Sequence, residues 1–324
     1  MLIPTKAAPR REPPAAPAGP SGRGLALSLS VSALAVLLAA AAGAVAAAAE
    51  LRPETLEAYK KYIEMLDREF AERATKGPTA DWLSAIARDR RSLHAGEIPI
   101  VEGGKEGMIA VPGGLIHDWR GTVFIPGARL KDVLAVNQAY DDYARFHQVV
   151  LRSKAIAREE DTFTVFLRIR KGTSIVTATL DTWAVASYRS PGPGVTLGRT
   201  EVEKIAEVQN AGEAEERHLP PGQDSGYLWA AHMYSTFLEQ DGGVYFELRN
   251  IGLSRRIPWT PPPVSWLVAK IVKEVARGSI ADTLSETRAA VLKRARPASP
   301  PRAMSIGWGR SGGDNRLEFG SWPA

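Results

Sequence analysis

The sequence predicts an α+β fold in which a curved antiparallel sheet is covered by one long helix near the C-terminus. From about Gly107 onward, apolar residues alternate with polar ones and turn-forming residues divide the chain into strands. Residues 264–293 instead carry an apolar stripe at helical spacing. Strands followed by a segregated helix are typical of α+β domains. A sheet covered by only one helix need not close tightly, so the pattern also predicts an apolar pocket between them.

Two helices precede the sheet. In residues 53–73 the apolar side chains fall at steps of three and four, and Pro53 suits the first helical turn. The stripe consists of Leu56, Tyr59, Ile63, Leu66 and Phe70. A second, shorter helix is expected from Asp81 to Arg90. We therefore predict that residues 50–104 form a helical extension packed on a main domain of residues 105–294.

The first long strand is GLIHDWRGTVFIPG, residues 114–127. Alternate residues of a strand share a face, so the apolar set beside His117 and Trp119 is predicted to point inward. Asp118 and Arg120 fall on the opposite face, which we expect to be exposed to solvent. An exposed pair of this kind contributes roughly 0–1 kcal/mol.

The later elements are bounded by turn signals. Glu159–Asp161, Lys171–Thr173 and Asp241–Gly243 are predicted turns, and the last of them is a strong hairpin signal. The final helix carries its stripe on Val264, Leu267, Val268, Ile271, Val275, Ile280, Leu284 and Val291, with Gly278 as a candidate kink. Residues 295–324 are rich in Pro and Gly and aperiodic, which predicts a disordered tail.

The N-terminus has the character of an export signal. A basic, Pro-rich lead precedes residues 25–49, which carry no charge and end in small residues suited to signal peptidase. We expect residues 1–49 to be a cleaved signal peptide. The alternative is an uncleaved helix that associates the protein with a membrane. Both interpretations place the body outside the cytoplasm, in the periplasm or the extracellular space.

Charge and motifs exclude several function classes. The net charge is +5, but four cations and Glu12 give the first 49 residues +3, which leaves +2 for the rest. Nucleic-acid binding is therefore not expected. The chain has no cysteine, no HExxH, no serine nucleophile elbow and no phosphate-binding loop. The sequence accordingly indicates neither a metal nor a cofactor.

One block of sequence resembles a known family. HDWRGTVFIPGARLKDVLAVNQAYDDYARFHQ, residues 117–148, followed by the strands and the long helix, resembles the START-like superfamily of polyketide cyclases and lipid-transport proteins. It is most similar to exported bacterial members in which a GxIHDWxGxxFIPGA block leads into a helix ending near Tyr143. The resemblance covers roughly residues 105–293. It implies a helix-grip fold with a deep cavity for lipids, sterols or polyketides, and it carries over no catalytic residue.

The candidate site residues are those expected to line this cavity: His117, Trp119, Val123, Tyr140, His232, Tyr234, Ile271 and Val275. If strands 114–125 and 227–239 share one concave face, His117, His232 and Tyr234 converge on the ligand. They are then polar anchors or weak candidates for proton transfer. The alternative is that each is a buried side chain satisfied by ordinary hydrogen bonds.

Three functions follow from these patterns. The first is an exported carrier that holds a hydrophobic small molecule between the sheet and the C-terminal helix. The second is an enzyme on the same fold, a cyclase, dehydratase or hydrolase. The third is a membrane-tethered structural or interaction protein. The sequence contains no signal for the oligomeric state.

Overall fold

In a computed structural model, the structure describes residues 50–104, 107–172, 177–220, 222–256 and 264–295. Within 264–272 only the backbone and Lys270 are described. The predicted signal peptide or anchor lies outside the described residues, and so does the predicted tail apart from Ala295, which ends the last helix.

Two N-terminal helices form where the apolar stripe predicts them. Helix α1 spans Pro53–Lys76 and helix α2 spans Ala80–His94. Pro53 occupies the first turn of α1, and the helix ends at Gly77, whose φ of 79° suits a residue without a Cβ. Helix α2 begins at a threonine cap, where the Thr79 hydroxyl accepts from the Trp82 amide at 3.3 Å.

The described residues form ten strands in an antiparallel sheet. They are β1 Ile100–Glu102, β2 Met108–Val111, β3 Gly114–Pro126, β4 Val150–Glu159, β5 Thr162–Gly172, β6 Thr177–Gly192, β7 Val195–Gln209, β8 Arg217–His218, β9 Ala230–Gln240 and β10 Gly243–Arg255. The strand order is β1-β3-β10-β9-β7-β6-β5-β4, with β2 paired to β3 and β8 paired to β7. The sequential strands from β4 to β7 pair with their chain neighbours, so the sheet is built mainly from hairpins.

The turn chemistry accounts for these hairpins. The predicted turn between β9 and β10 is confirmed: Asp241 and Gly242 have φ values of 57° and 75°, as a tight hairpin requires. The β4–β5 turn is likewise confirmed, with Glu160 at a φ of 50°. The predicted turn after Lys171 falls partly on residues 173–176, which lie outside the described residues.

The remaining helices lie on the concave side of the sheet. Helix α3 spans Leu130–Asn137, a 3-10 turn spans Tyr140–Asp142, and α4 spans Tyr143–Phe146. Helix α5, Val264–Ala295, runs without a break through the predicted kink site. It packs chiefly on β3, with smaller contacts to β10 and β1.

Gly121 allows α5 to approach β3 closely. A Cβ at this position would lie 2.6 Å from Ile280 Cγ2 and 2.8 Å from Leu284 Cδ1, inside their van der Waals contact distance. Glycine is therefore the residue that lets the helix rest directly on the strand.

The sheet consequently has two faces with different covers. The inner face carries Trp119 and Val123 and packs against Ile280 and Leu284 of α5. The outer face carries Ile116 and Phe124 and is covered by α1 and α2. The predicted α+β helix-grip arrangement is confirmed: a curved antiparallel sheet holds a long C-terminal helix, and an N-terminal helical extension packs behind it.

The prediction that Asp118 is exposed is wrong. Asp118 lies on the outer face, but α1 covers it and only 1% of the residue is exposed. Its partner is Arg249 on the neighbouring strand β10, which donates to both carboxylate oxygens at 2.9 and 2.7 Å. Tyr62 of α1 donates to the same carboxylate at 2.7 Å. Arg120 instead approaches Glu247 at 3.7 Å.

Candidate ligand site

One end of the inner face is a filled core. The side chains of β3, β9, β10, α5 and the 3-10 turn pack together there, with Val123 fully buried and Tyr140 5% exposed. The Tyr140 and Tyr188 hydroxyls pair at 2.7 Å within it. Two of the predicted cavity residues, Val123 and Tyr140, therefore belong to packed structure.

The other end of the inner face is less completely covered. Five apolar side chains of β5, β7 and β9 point to the inner side there, and all are only partly buried. They are Leu167, Ile169, Val202, Ile205 and Met233. Partly buried apolar side chains on a concave surface are typical of the lining of a ligand site. We name this surface the open end of the inner face.

His117 and Trp119 lie on β3 along the inner face. His117 Nε2 lies 2.8 Å from the Ser254 hydroxyl. Burial lowers the pKa of His117 to about 4, so its ring is neutral at physiological pH. Trp119 is 2% exposed and packs beside Ile280 and Leu284. The structure therefore brings these two predicted residues together.

The predicted convergence of His117 with His232 and Tyr234 is wrong. Directly paired residues share a face, and β10 pairs Gly252 with both His117 and Ala231. Ala231 is thus the inner-face neighbour, and His232 points to the outer face beneath α1. The sequence pattern predicts strand β9 correctly, but it does not give the register of β9 against β10. A shift of one residue in that register moves every side chain of the strand to the other face.

His232 and Tyr234 have structural partners on the outer face. The Tyr59 hydroxyl lies 3.1 Å from His232 Nδ1, and Tyr234 donates to Asp67 at 2.8 Å. Burial lowers the pKa of His232, opposed by Glu201. The alternative considered for these residues, satisfaction by ordinary hydrogen bonds, agrees with this geometry.

The two predicted residues on α5 are described unequally. Val275 is partly buried on the helix. The side chain of Ile271 lies outside the described residues. The cavity prediction for Ile271 therefore stays a prediction.

The alternation of apolar and polar residues along β7 does not predict that Val202 and Ile205 lie on the same face. They are three residues apart, so simple alternation would place them on opposite faces. A register shift in the β6–β7 pairing, between Trp183 and Ala184, adds a residue to β7 and returns both to the inner side. A β-bulge of this kind leaves no distinctive residue pattern here.

Charged residues lie where β5 meets α5. Lys171 is on the inner side of β5, and burial lowers its pKa to about 8, opposed by Asp282 and Glu286 of α5. Glu286 also accepts from the His147 ring at 3.0 Å. Burial lowers the pKa of His147, and Glu286 opposes that shift. These groups form a polar boundary to the apolar inner face.

Two surface depressions lie on the side of the sheet that α1 and α2 cover. One, of about 670 Å³, is shallow and is lined by Ala87, Arg88, Arg90, Arg91 and His94. The other, of about 50 Å³, lies between α2 and β3. Neither is lined by His117 or by α5, where the cavity was expected.

The described residues contain no cluster of three or more His, Cys, Asp or Glu side chains able to hold a metal ion. Across the described ranges, which begin at Glu50, no helix is both long and apolar enough to cross a membrane.

Solved structures similar to this chain include START-related proteins. A STAR-related lipid transfer protein from Xanthomonas axonopodis (fragment 25–204) is 17% identical, with 59% of this chain and 98% of that chain covered and a TM-score of 0.37. Zhui aromatase/cyclase from Streptomyces sp. R1128 is 12% identical, with 56% and 96% covered and a TM-score of 0.38. Human STARD10 is 10% identical, with 68% and 84% covered and a TM-score of 0.37.

No family model and no curated protein matches the chain. The identities and TM-scores of the solved structures are too low to transfer an activity or a ligand from them.

Proposed function

We propose that this protein is an exported carrier that holds a hydrophobic small molecule, such as a lipid, sterol or polyketide, on the inner face of its sheet. The observation that carries the proposal is the open end of the inner face. There, apolar side chains on β5, β7 and β9 remain partly exposed, while α5 packs on β3 at the other end.

Exposed apolar area gives the binding energy. Removing apolar surface from water contributes about 25 cal/mol per Å², before the costs of association. A molecule that covers the five open-end side chains would remove from water the apolar surface that α5 leaves exposed. On the outer face, α1 and α2 cover β3, β9 and β10 with apolar clusters and ion pairs.

Export is supported by the sequence of residues 1–49 alone. The described helices begin at Pro53, directly after this segment, so cleavage near Ala49 would leave α1 intact. N-terminal sequencing of the protein recovered outside the cytoplasm tests this part. A mature terminus near Glu50 supports cleavage, whereas a retained terminus supports membrane association through residues 25–49.

The geometry favours binding over the enzymatic alternative. Of the three residues considered for proton transfer, only His117 lies on the inner face. A histidine with a pKa of about 4 is a weak base at neutral pH.

The carrier proposal is tested by ligand retention. Native mass spectrometry of the purified full chain, with organic extraction of the same sample, should show a bound apolar molecule. Met233→Trp fills the open end and is expected to remove that molecule. Met65→Trp is the matched control, because Met65 lies on α1 and is 38% exposed, and it should retain the ligand. An empty wild-type protein that also ignores added fatty acids, sterols and long-chain alcohols would contradict the proposal.

A further inference from the structure

A row of side chains crosses the outer face of β4, β5, β6 and β7. Phe166 of β5 pairs with Trp183 of β6, and their ring centroids are 5.3 Å apart. Lys154 of β4 flanks Phe166 on one side, and Lys204 of β7 flanks the tryptophan on the other. Ala184 belongs to the inner core, so its chain neighbour Trp183 points outward. Strands lie about 4.8 Å apart, which places the two lysines about 14 Å from each other.

The two aromatic rings of this row do not support the core. Phe166 and Trp183 are only partly buried, and neither belongs to the three apolar clusters of the described residues. Lys204 is exposed and extends over the tryptophan, with Nζ 4.5 Å from the ring centroid. Contiguous apolar side chains at a surface are typical of an interaction site, whereas isolated ones are not.

The edge strand β4 enlarges this surface. Register shifts in its pairing with β5 leave Leu151 and Ile156 as extra residues, which are 40% and 51% exposed. Among the large apolar side chains of the described ranges, Ile156 is the most exposed. Two residues before Lys154, an arginine shares its outward direction. We name as the β4–β7 patch the residues Arg152, Lys154, Ile156, Phe166, Trp183 and Lys204.

The patch keeps a net positive charge. Its three cations form no direct ion pair with any described residue. Two carboxylates of the same region, Asp181 and Glu216, are paired with Arg168 at 2.6 and 2.8 Å. Glu203, next to Lys204 in the chain, is exposed and offsets one of the three cations. The surface therefore attracts an anionic partner.

An anionic lipid bilayer matches both the charge and the apolar side chains of the patch. Lysine and arginine are attracted to anionic headgroups, while tryptophan and aliphatic side chains enter the boundary between headgroups and acyl chains. A soluble acidic polypeptide matches the cations but gives no reason for the exposure of Ile156. A single-stranded nucleic acid needs a free ring on which a base can stack, and Lys204 extends over the ring of Trp183.

We propose that the β4–β7 patch is the surface by which this protein docks on an anionic lipid bilayer. Its three cations contact the headgroups, and Ile156 and Trp183 enter the apolar boundary beneath them. This inference goes beyond the carrier proposal. The patch lies on the opposite face of the sheet from the open end, so docking requires no bound ligand.

The test places a fluorescent label at one position. The chain has no cysteine, so a single introduced cysteine carries the environment-sensitive fluorophore NBD at one known site. Ile156→Cys reports on the patch, and Leu83→Cys, which lies on α2 and is 40% exposed, is the matched control. Each full-length protein is titrated with vesicles of equal parts phosphatidylglycerol and phosphatidylcholine. Emission should rise and shift to shorter wavelength for the Ile156→Cys label alone, which distinguishes docking by the patch from attachment through residues 25–49.

Charge reversal tests the cations of the patch. Lys154→Glu combined with Lys204→Glu, in the Ile156→Cys background, should weaken vesicle affinity at least about 25-fold, since each lysine near an anionic surface contributes about fivefold. Lys60→Glu combined with Lys131→Glu is the matched control, because it makes the same change in net charge on exposed lysines of α1 and α3. This control should retain most of the affinity.

Four results would overturn the proposal. The first is an equal response of the labels at Ile156→Cys and Leu83→Cys, and the second is an equal loss of affinity in the two double variants. The third is a response to pure phosphatidylcholine vesicles as large as that to the anionic ones. The fourth is a response of the Ile156→Cys label to dissolved polyglutamate as large as that to vesicles, which would assign the patch to an acidic polypeptide instead.

Discussion

The two faces of the sheet are stabilised in different ways. The inner face at its packed end is held by aromatic and aliphatic side chains around Trp119 and Leu284, whereas the outer face joins α1 to the sheet through buried carboxylates and arginines. One pair, Asp118 with Arg249, connects β3 to β10. The other, Glu247 with Arg73, connects β10 to α1. The energy of a buried ion pair depends on a particular partner in a particular geometry, so these pairs fix the position of α1 on the sheet. Apolar contacts are less directional and allow one part of a surface to accept a ligand instead of a helix.

The largest expected effect is on the outer face. Asp118→Ala leaves the Arg249 guanidinium with only the exposed Glu69 carboxylate, at 3.3 Å, and breaking a buried pair in this way costs about 3–5 kcal/mol. Urea denaturation should show a fall of that size in the free energy of unfolding. Glu57→Ala removes an exposed pair with Lys61 and should leave the free energy of unfolding almost unchanged. Similar values for the two variants would mean that the outer face is not held by its buried pairs.

The packed end of the inner face should respond to lost volume. Leu284 is fully buried, and Leu284→Ala should lower the free energy of unfolding by about 3 kcal/mol through lost burial and the cavity left behind. Leu83→Ala, on the partly exposed side of α2, is the control and should cost under about 1 kcal/mol. A loss at Leu284 as small as that at Leu83 would show that α5 does not seal this end.

The pH dependence of stability should reveal the buried His117. Its pKa is lowered from 6.5 to about 4 in the folded state, so the unfolded chain binds more protons between those values. Stability from this group is therefore present above pH 6.5 and lost as the pH falls toward 4. Between pH 7 and pH 5 the loss is about 2 kcal/mol.

His147 and His232 also have lowered pKa values, so the wild type contains their contribution too. The His117→Phe variant isolates the single group. Its free energy of unfolding should fall by about 2 kcal/mol less than that of the wild type between pH 7 and pH 5. Identical pH dependence in the two proteins would show that His117 is solvated in the folded state.

The smallest effect is expected where the outer-face network is partly open to water. Asp67 receives two hydrogen bonds from Arg199, at 2.7 and 3.0 Å, but its side chain is 36% exposed. Asp67→Asn should therefore cost about 1 kcal/mol, well below the loss at Asp118, and 1 M NaCl should reduce the difference from wild type. A cost equal to that of Asp118→Ala would mean that burial does not set the strength of these pairs.

The fold was predictable because its signals are local. The stripe of α1, the Asp241–Gly242 turn and the long terminal helix each follow from spacing within one segment. The candidate site depends instead on which strands pair and in which register. His232 was assigned to the wrong face because its strand pairs with β10 at a register that the sequence does not display. The cover over Asp118 could not be predicted for a similar reason, since Tyr62 and Arg249 reach it from segments 56 and 131 residues away.

The most direct test of the two-face account is to locate a bound ligand by covalent labelling. A twelve-carbon alcohol with a photoreactive diazirine near the far end of its chain would be irradiated with the full-length protein, and the labelled residues identified by peptide mass spectrometry. We expect labels on inner-face positions of β7, β9 or α5, such as Val202 and Met233, and their loss in Met233→Trp. Labels confined to α1 and α2, or labelling of the wild type that an excess of dodecan-1-ol fails to reduce, would contradict the account.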